Sequence, residues 1–224
     1  MPAFPRYGLL VDELGRMSRY LDVLHSLLEY GRKEFDDTLE TQAGTLAEEA
    51  RAEYVLTHDY FPRQLYAGFV AGWYAFVERE LFKLCESLDL QLTLSIGDVA
   101  ALEQDGVNGV LRFLQDAAHY TVDEEQRLEL AHIARLRKLL HNAAQRVPGM
   151  KTPPLDGAPA VPIFLEGATV YLLLDPPLYE YLQSYSLLST GNECFIDPSP
   201  TYCKHLIRFA TELFAKLYED LNLK

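Results

Sequence analysis

The sequence predicts a mainly α-helical bundle with a small β-hairpin inserted near residues 161–175. Three observations predict it. Apolar residues recur at spacings of three and four through most of the chain, which marks one buried face per helix. Helix breakers concentrate in a few places, above all 148–160 with four prolines and two glycines. Two β-rich runs, VPIFL and ATVYLLLD, flank Glu166 and Gly167, the pattern of a hairpin.

The elements follow in chain order. Leu9, Leu10, Leu14, Met17, Leu21, Leu24 and Leu28 set a first helix from about Tyr7 to Tyr30. Residues 33–57 are polar and acidic with a helical stretch from Leu46 to Val55, either a second, exposed helix or a continuation of the first. Phe61 and Pro62 open the next helix, because proline fits the first turn. That helix runs to about Leu88, with Leu65, Phe69, Trp73, Phe76, Leu81 and Leu84 on a broad apolar face. Gly68 and Gly72 lie on one side of it, where small residues let another helix approach. Ser95-Ile96-Gly97-Asp98 is a break, followed by a short helix and then another from Val107 to about His119. Thr121, ahead of Asp123, Glu124 and Glu125, is the expected N-cap of a helix that ends before Pro148. After the 148–160 loop and the hairpin, Leu178 to Leu188 reads as helix and Gly191 to Pro200 as loop. The closing helix, Tyr202 to Leu221, turns Leu206, Phe209, Leu213, Phe214 and Leu217 inward. The expectation is one domain over 1–224, with N-terminal helices over 1–58, a core bundle over 59–147, and the hairpin and closing helix over 148–224.

Charge narrows the function. The 33 acidic residues against 20 basic ones give −13, so bulk attraction does not hold nucleic acid and any such contact needs a local basic patch. Three cysteines, Cys85, Cys194 and Cys203, form no CxxC pair, which points to a reducing compartment. Cys194, Cys203 and His205 lie close in sequence but lack a fourth zinc ligand, so no metal is expected. Residues 1–6 lack the basic and apolar regions of a secretory signal, and no run reaches 18 apolar residues. The expected address is cytoplasmic, with no membrane contact.

The densest basic cluster is Arg135, Arg137, Lys138 and His141, with Arg146 after it. Leu130, Ile133, Leu136 and Leu140 share the buried face of that helix, and Arg137 and His141, four apart, sit side by side at its edge. Basic residues in a last helical turn also serve simply to offset the helix dipole. Read chemically, a histidine titrating near neutrality transfers protons and an arginine holds a phosphate with its planar fork. That pair suffices in principle for metal-free RNA cleavage.

These segments resemble the HEPN family. Residues 61–88 are similar to its signature helix, where an aromatic-rich run leads to a glutamate and a cysteine-bearing turn; Glu78, Glu80 and Cys85 carry the likeness. GVNGVLRFLQDAAHY resembles the next short helix, with Phe113-Leu114 in place of its YL ending. IARLRKLLHN resembles the family helix that reads R-N-x-x-x-H-N, and the closing helix fits as well. The likeness covers roughly 60–220. Counting back from His141, the family arginine falls on Leu136, so the flanking Arg135 and Arg137 are both candidates. Helix geometry favours Arg137, since Arg135 projects about 120° away from His141. Glu78 and Glu80 either face solvent or orient Arg137 across the bundle.

The resemblance implies a helical bundle, commonly a homodimer, in which active members bring arginine and histidine of both chains together and cut RNA without metal or cofactor. Many such members are toxins or phage-defence effectors; others are inactive binding modules. Carried over, it makes His141, Arg137 and Arg135 catalytic and Asn142, Lys138 and Arg146 RNA-binding. The implied partners are a second copy, an RNA substrate, and an antitoxin or other protein. The alternative is a catalytically inactive HEPN-like module for dimerisation or partner binding.

Overall fold

A computed structural model describes residues 5–41, 48–92, 106–141, 146–154, 158–165, 167–190, 194–221 and 223. By its packing the chain divides into two compact units. One holds Met1–Leu14, Ala71–Arg137 and Leu206–Lys224; the other holds Gly15–Val70 and Lys138–His205. The predicted break at Ser95 and the short helix after it lie outside the described residues.

Helix α1 (Pro5–Thr41) and helix α2 (Glu48–Val55) account for the polar N-terminal stretch: the first helix continues past Tyr30, and a second follows. Among the apolar positions expected to face inward, Leu10, Leu14 and Leu21 are buried but Leu9 is 67% exposed. A π-turn, Leu56–Tyr60, leads into α3 (Phe61–Leu92) with no break in helical backbone, both Val55 and Phe61 being right-handed helical.

Pro62 gives the π-turn a physical reason. Proline has no N–H to donate to the carbonyl four residues back, which is His58, and its ring crowds that carbonyl. The local widening carries the Phe61 N–H to the Leu56 carbonyl instead. Arg32 of α1 supplies the missing donor, its Nη2 bonding the His58 carbonyl at 2.7 Å, while its Nη1 donates to Glu29 at 2.8 Å.

Helix α4 (Val107–Asp116) follows Gly106, whose φ of +58° is a left-handed conformation that favours glycine. Helix α5 (Glu124–His141) has Glu124 and Glu125 in its first turn. It begins after Asp123 rather than at Thr121, so the expected threonine cap stands outside the helix. Tyr120, just before it, donates to Asp220 at 3.1 Å.

Strands β1 (Gly149–Met150), β2 (Val161–Leu165) and β3 (Ala168–Leu172) form an antiparallel sheet in the order β1-β3-β2. The expected hairpin is β2–β3, registered from Val161 opposite Leu172 to Leu165 opposite Ala168, with Gly167 at φ +77° in its turn. Pro162 is tolerated because β2 is an edge strand.

Helix α6 (Pro176–Ser184) starts on Asp175, whose Oδ1 accepts the Leu178 N–H at 3.0 Å. It begins two residues before the expected Leu178 and stops at Ser184. The chain then enters β4 (Leu188–Thr190), which pairs with β5 (Cys194–Ile196), Leu188 opposite Ile196. Strand β5 corrects the expectation that Gly191 to Pro200 is all loop. Helix α7 (Pro200–Asp220) closes the chain, and its five inward residues are buried as expected.

Each unit has its own core. In the first, Trp73, Leu81, Val110, Leu114, Ile133, Leu136 and Phe214 are fully buried, and the Trp73 ring lies 6.3 Å from Phe209. In the second, Leu21, Val70, Leu182, Leu187 and Cys203 are fully buried, and the buried Tyr181 and Tyr202 hydroxyls share a 2.8 Å hydrogen bond. Gly68 and Gly72 do not seat a neighbouring helix; both are exposed, and a Cβ on either meets nothing within 4 Å among the described residues.

Candidate functional site

Helix α5 turns Leu130, Ile133, Leu136 and Leu140 inward, which places the basic residues of its last turns toward its rim. Arg137 belongs to the first unit and is held there by two residues of α3. Its Nη1 stands 4.0 Å from Glu78 Oε2, and its guanidinium carbon lies 4.9 Å from the centre of the Tyr74 ring. At 4.0 Å the carboxylate contact is one of charge, beyond hydrogen-bond range. Glu78 therefore aims the guanidinium without occupying its N–H donors. The Arg137 side chain stays 43% exposed.

Tyr74 is buried, and burial, with the Glu78 carboxylate adding to it and Arg137 opposing, pushes its hydroxyl up to about 12. Tyr74 is thus a neutral ring at ordinary pH, and its face attracts the cation. Glu78 is itself confined. A Cβ on Gly106 would sit 2.9 Å from Glu78 Oε1, so this glycine admits the carboxylate where α4 begins. A carboxylate near a helix start is favourably placed against the helix dipole. The sequence offered both solvent and Arg137 as the place for Glu78, and the structure puts it beside Arg137. Glu80 goes elsewhere, accepting from Arg79 at 3.0 Å and Lys83 at 2.7 Å.

The other predicted residues are placed as follows. His141 is the last residue of α5, is exposed, and belongs to the second unit, as does the exposed Lys138. Because α5 is helical to His141, Arg137 and His141 are one turn apart along a single helix, and Arg135 lies on a different side of it. Arg135 is half-buried. Arg146 is exposed and forms an antiparallel bridge with Phe195. Asn142 lies outside the described residues.

Sequence reasoning missed Tyr74. Its signal was available: it stands four residues before Glu78, so the two share one side of α3. It was hidden because it is one aromatic in a run of them.

The cysteines are buried and unpaired. Burial pushes Cys85 and Cys203 up to about 12 and raises Cys194. Among the described residues no group of three or more His, Cys, Asp or Glu side chains is arranged to hold a metal ion, and no helix is long and apolar enough to cross a membrane. Compared with known proteins, the chain matches no family model, no curated protein and no solved structure.

Proposed function

We propose that the chain is a metal-independent endoribonuclease of the HEPN kind, acting as a toxin or defence effector, with His141 as the proton-transfer group and Arg137 as the phosphate-holding group. The observation that supports it is the setting of Arg137: Glu78 and Tyr74 orient the guanidinium, yet it stays part-exposed and keeps donors for a ligand. In the reaction, the exposed imidazole of His141 takes the proton of an RNA 2′-hydroxyl. The 2′-oxygen bonds phosphorus as the bond to the 5′-oxygen breaks, and the leaving oxygen takes a proton from solvent. Arg137 stabilises the charge that builds on the phosphoryl oxygens.

The test is cleavage of single-stranded and structured RNA by the purified chain, with and without chelator. The expected result is cleavage in chelator, lowered by about 100-fold or more in His141→Ala and Arg137→Ala, with unchanged circular dichroism. RNA left intact under every metal condition overturns the proposal.

One observation favours a second reading, an inactive helical module that binds a partner. Glu78 beside Arg137 offsets part of the one charge the reaction needs, in a chain already at −13. Glu78→Gln separates the two. A catalytic Arg137 loses activity when its orienting carboxylate goes, whereas a binding module has no cleavage to lose.

A further inference from the structure

We propose that α1, α2 and the start of α3, in the second unit, form a binding pocket for an organic ammonium ion, a positive nitrogen carried on an apolar body. A cavity of about 520 Å³ lies between them. That volume falls within the roughly 300–1,000 Å³ typical of small-molecule pockets. Its walls include Leu27, Gly31, Glu34 and Phe35 of α1, Glu53 of α2 and Phe61 of α3.

The sequence produces both walls. Leu27, Gly31 and Glu34 fall at spacings of four and three, and Glu53, Thr57 and Phe61 at four and four, so each set runs along one side of helical backbone. The apolar part is left wet: Leu27 is 62% and Phe61 52% exposed. Side chains of that size gain from an apolar body laid against them. Gly31 keeps the cavity open, since a Cβ there meets nothing within 4 Å among the described residues. Glycine weakens a helix interior relative to alanine, so this space is held at some loss to α1.

Charge chooses the ligand. Glu34 and Glu53 are exposed, and neither carboxylate has a hydrogen bond or ion pair among the described residues; Thr38 donates to the Glu34 backbone carbonyl, not to its side chain. The basic residues next to them in sequence do not line the cavity. Arg32 is turned to Glu29 and the His58 carbonyl, and Lys33 and Arg51 stand outside the walls. Residues 34–50 contain no lysine or arginine. Two carboxylates at one cavity repel an anion and favour a cation. The Phe35 and Phe61 rings add the attraction of an aromatic face for an ammonium group. This inference does not rest on the ribonuclease reading, and a chain that leaves RNA intact still serves for its test.

The experiment is calorimetric titration of the full chain at low salt with benzylamine, benzyltrimethylammonium and the neutral benzyl alcohol. Saturable binding of the two cations is expected, with Glu34→Gln and Glu53→Gln each weakening it about threefold and the double variant about 10-fold. Gly31→Leu leaves both charges in place and fills the cavity, and is expected to weaken binding by more than about 10-fold. Circular dichroism checks that each variant folds; should Gly31→Leu fail to, the two exposed glutamates still decide. Glu125→Gln on α5 makes the same charge change outside the lining and is expected to leave affinity within about twofold. Tighter binding of benzylamine assigns recognition chiefly to the carboxylates, tighter binding of benzyltrimethylammonium chiefly to the rings, and both support the pocket. Benzyl alcohol binding as tightly as the cations, an equal loss in Glu125→Gln, or no saturation with either cation overturns it.

Discussion

Pro62 removes a backbone donor from the interior of a helical run, and a side chain from another helix makes good the loss. The His58 carbonyl receives the Arg32 guanidinium, which also holds Glu29. Arg32→Met should therefore cost about 1–3 kcal/mol in urea denaturation, since it strands a carbonyl beside a proline. A loss under about 0.3 kcal/mol would show that water serves the carbonyl equally well. Proline at 62 was legible as a helix signal, but its partner was not, because Arg32 stands far away in sequence and nothing local names it. The same holds at the candidate site. The i, i+4 spacing of Arg137 and His141 is a local fact and could be read directly. The Tyr74 face under Arg137 and the glycine that admits Glu78 are tertiary facts, visible only once α3, α4 and α5 pack.

Elements show the same division between local and distant causes. The β2–β3 hairpin was legible because two β-rich runs flank Glu166 and Gly167. The β4–β5 pair was not: each strand has three residues, and the glycine and prolines of 191–200 point to a loop. Helix α1 runs past its last strong apolar repeat into polar sequence, where Phe35 still sets its ring 6.2 Å from Tyr54 and 5.9 Å from His58. The start of α6 is set by local chemistry, the Asp175 carboxylate accepting the Leu178 N–H with proline behind it in the first turn. Asp175→Ala is expected to cost about 1 kcal/mol by thermal denaturation, and Asp175→Asn much less, because asparagine caps nearly as well. Equal losses in both would mean that the charge, not the cap, matters.

At the scale of the molecule, neither unit is a continuous piece of chain. Each unit draws on separate stretches of chain, and the unit boundaries fall inside α1, α3, α5 and α7. Apolar spacing tells which face of a helix is buried; it does not tell which distant segment covers that face. Helix α7 supplies Tyr202 and Cys203 to one core and Leu206, Leu213, Phe214 and Leu217 to the other. A chain ending at Ser199 should consequently fail to fold in either unit, giving a collapsed amide spectrum by NMR; a dispersed spectrum would show that one core closes without it. The buried cysteines bear on the same question in another way. Cys85 belongs to the first unit and Cys194 and Cys203 to the second, and burial keeps all three as unreactive thiols. Alkylation can proceed only as fast as each neighbourhood breathes, so these sulfurs are native stopwatches. Matching rates at Cys85 and Cys203 under mild denaturant would mean that the units melt as one, and a lag between them that they melt in turn.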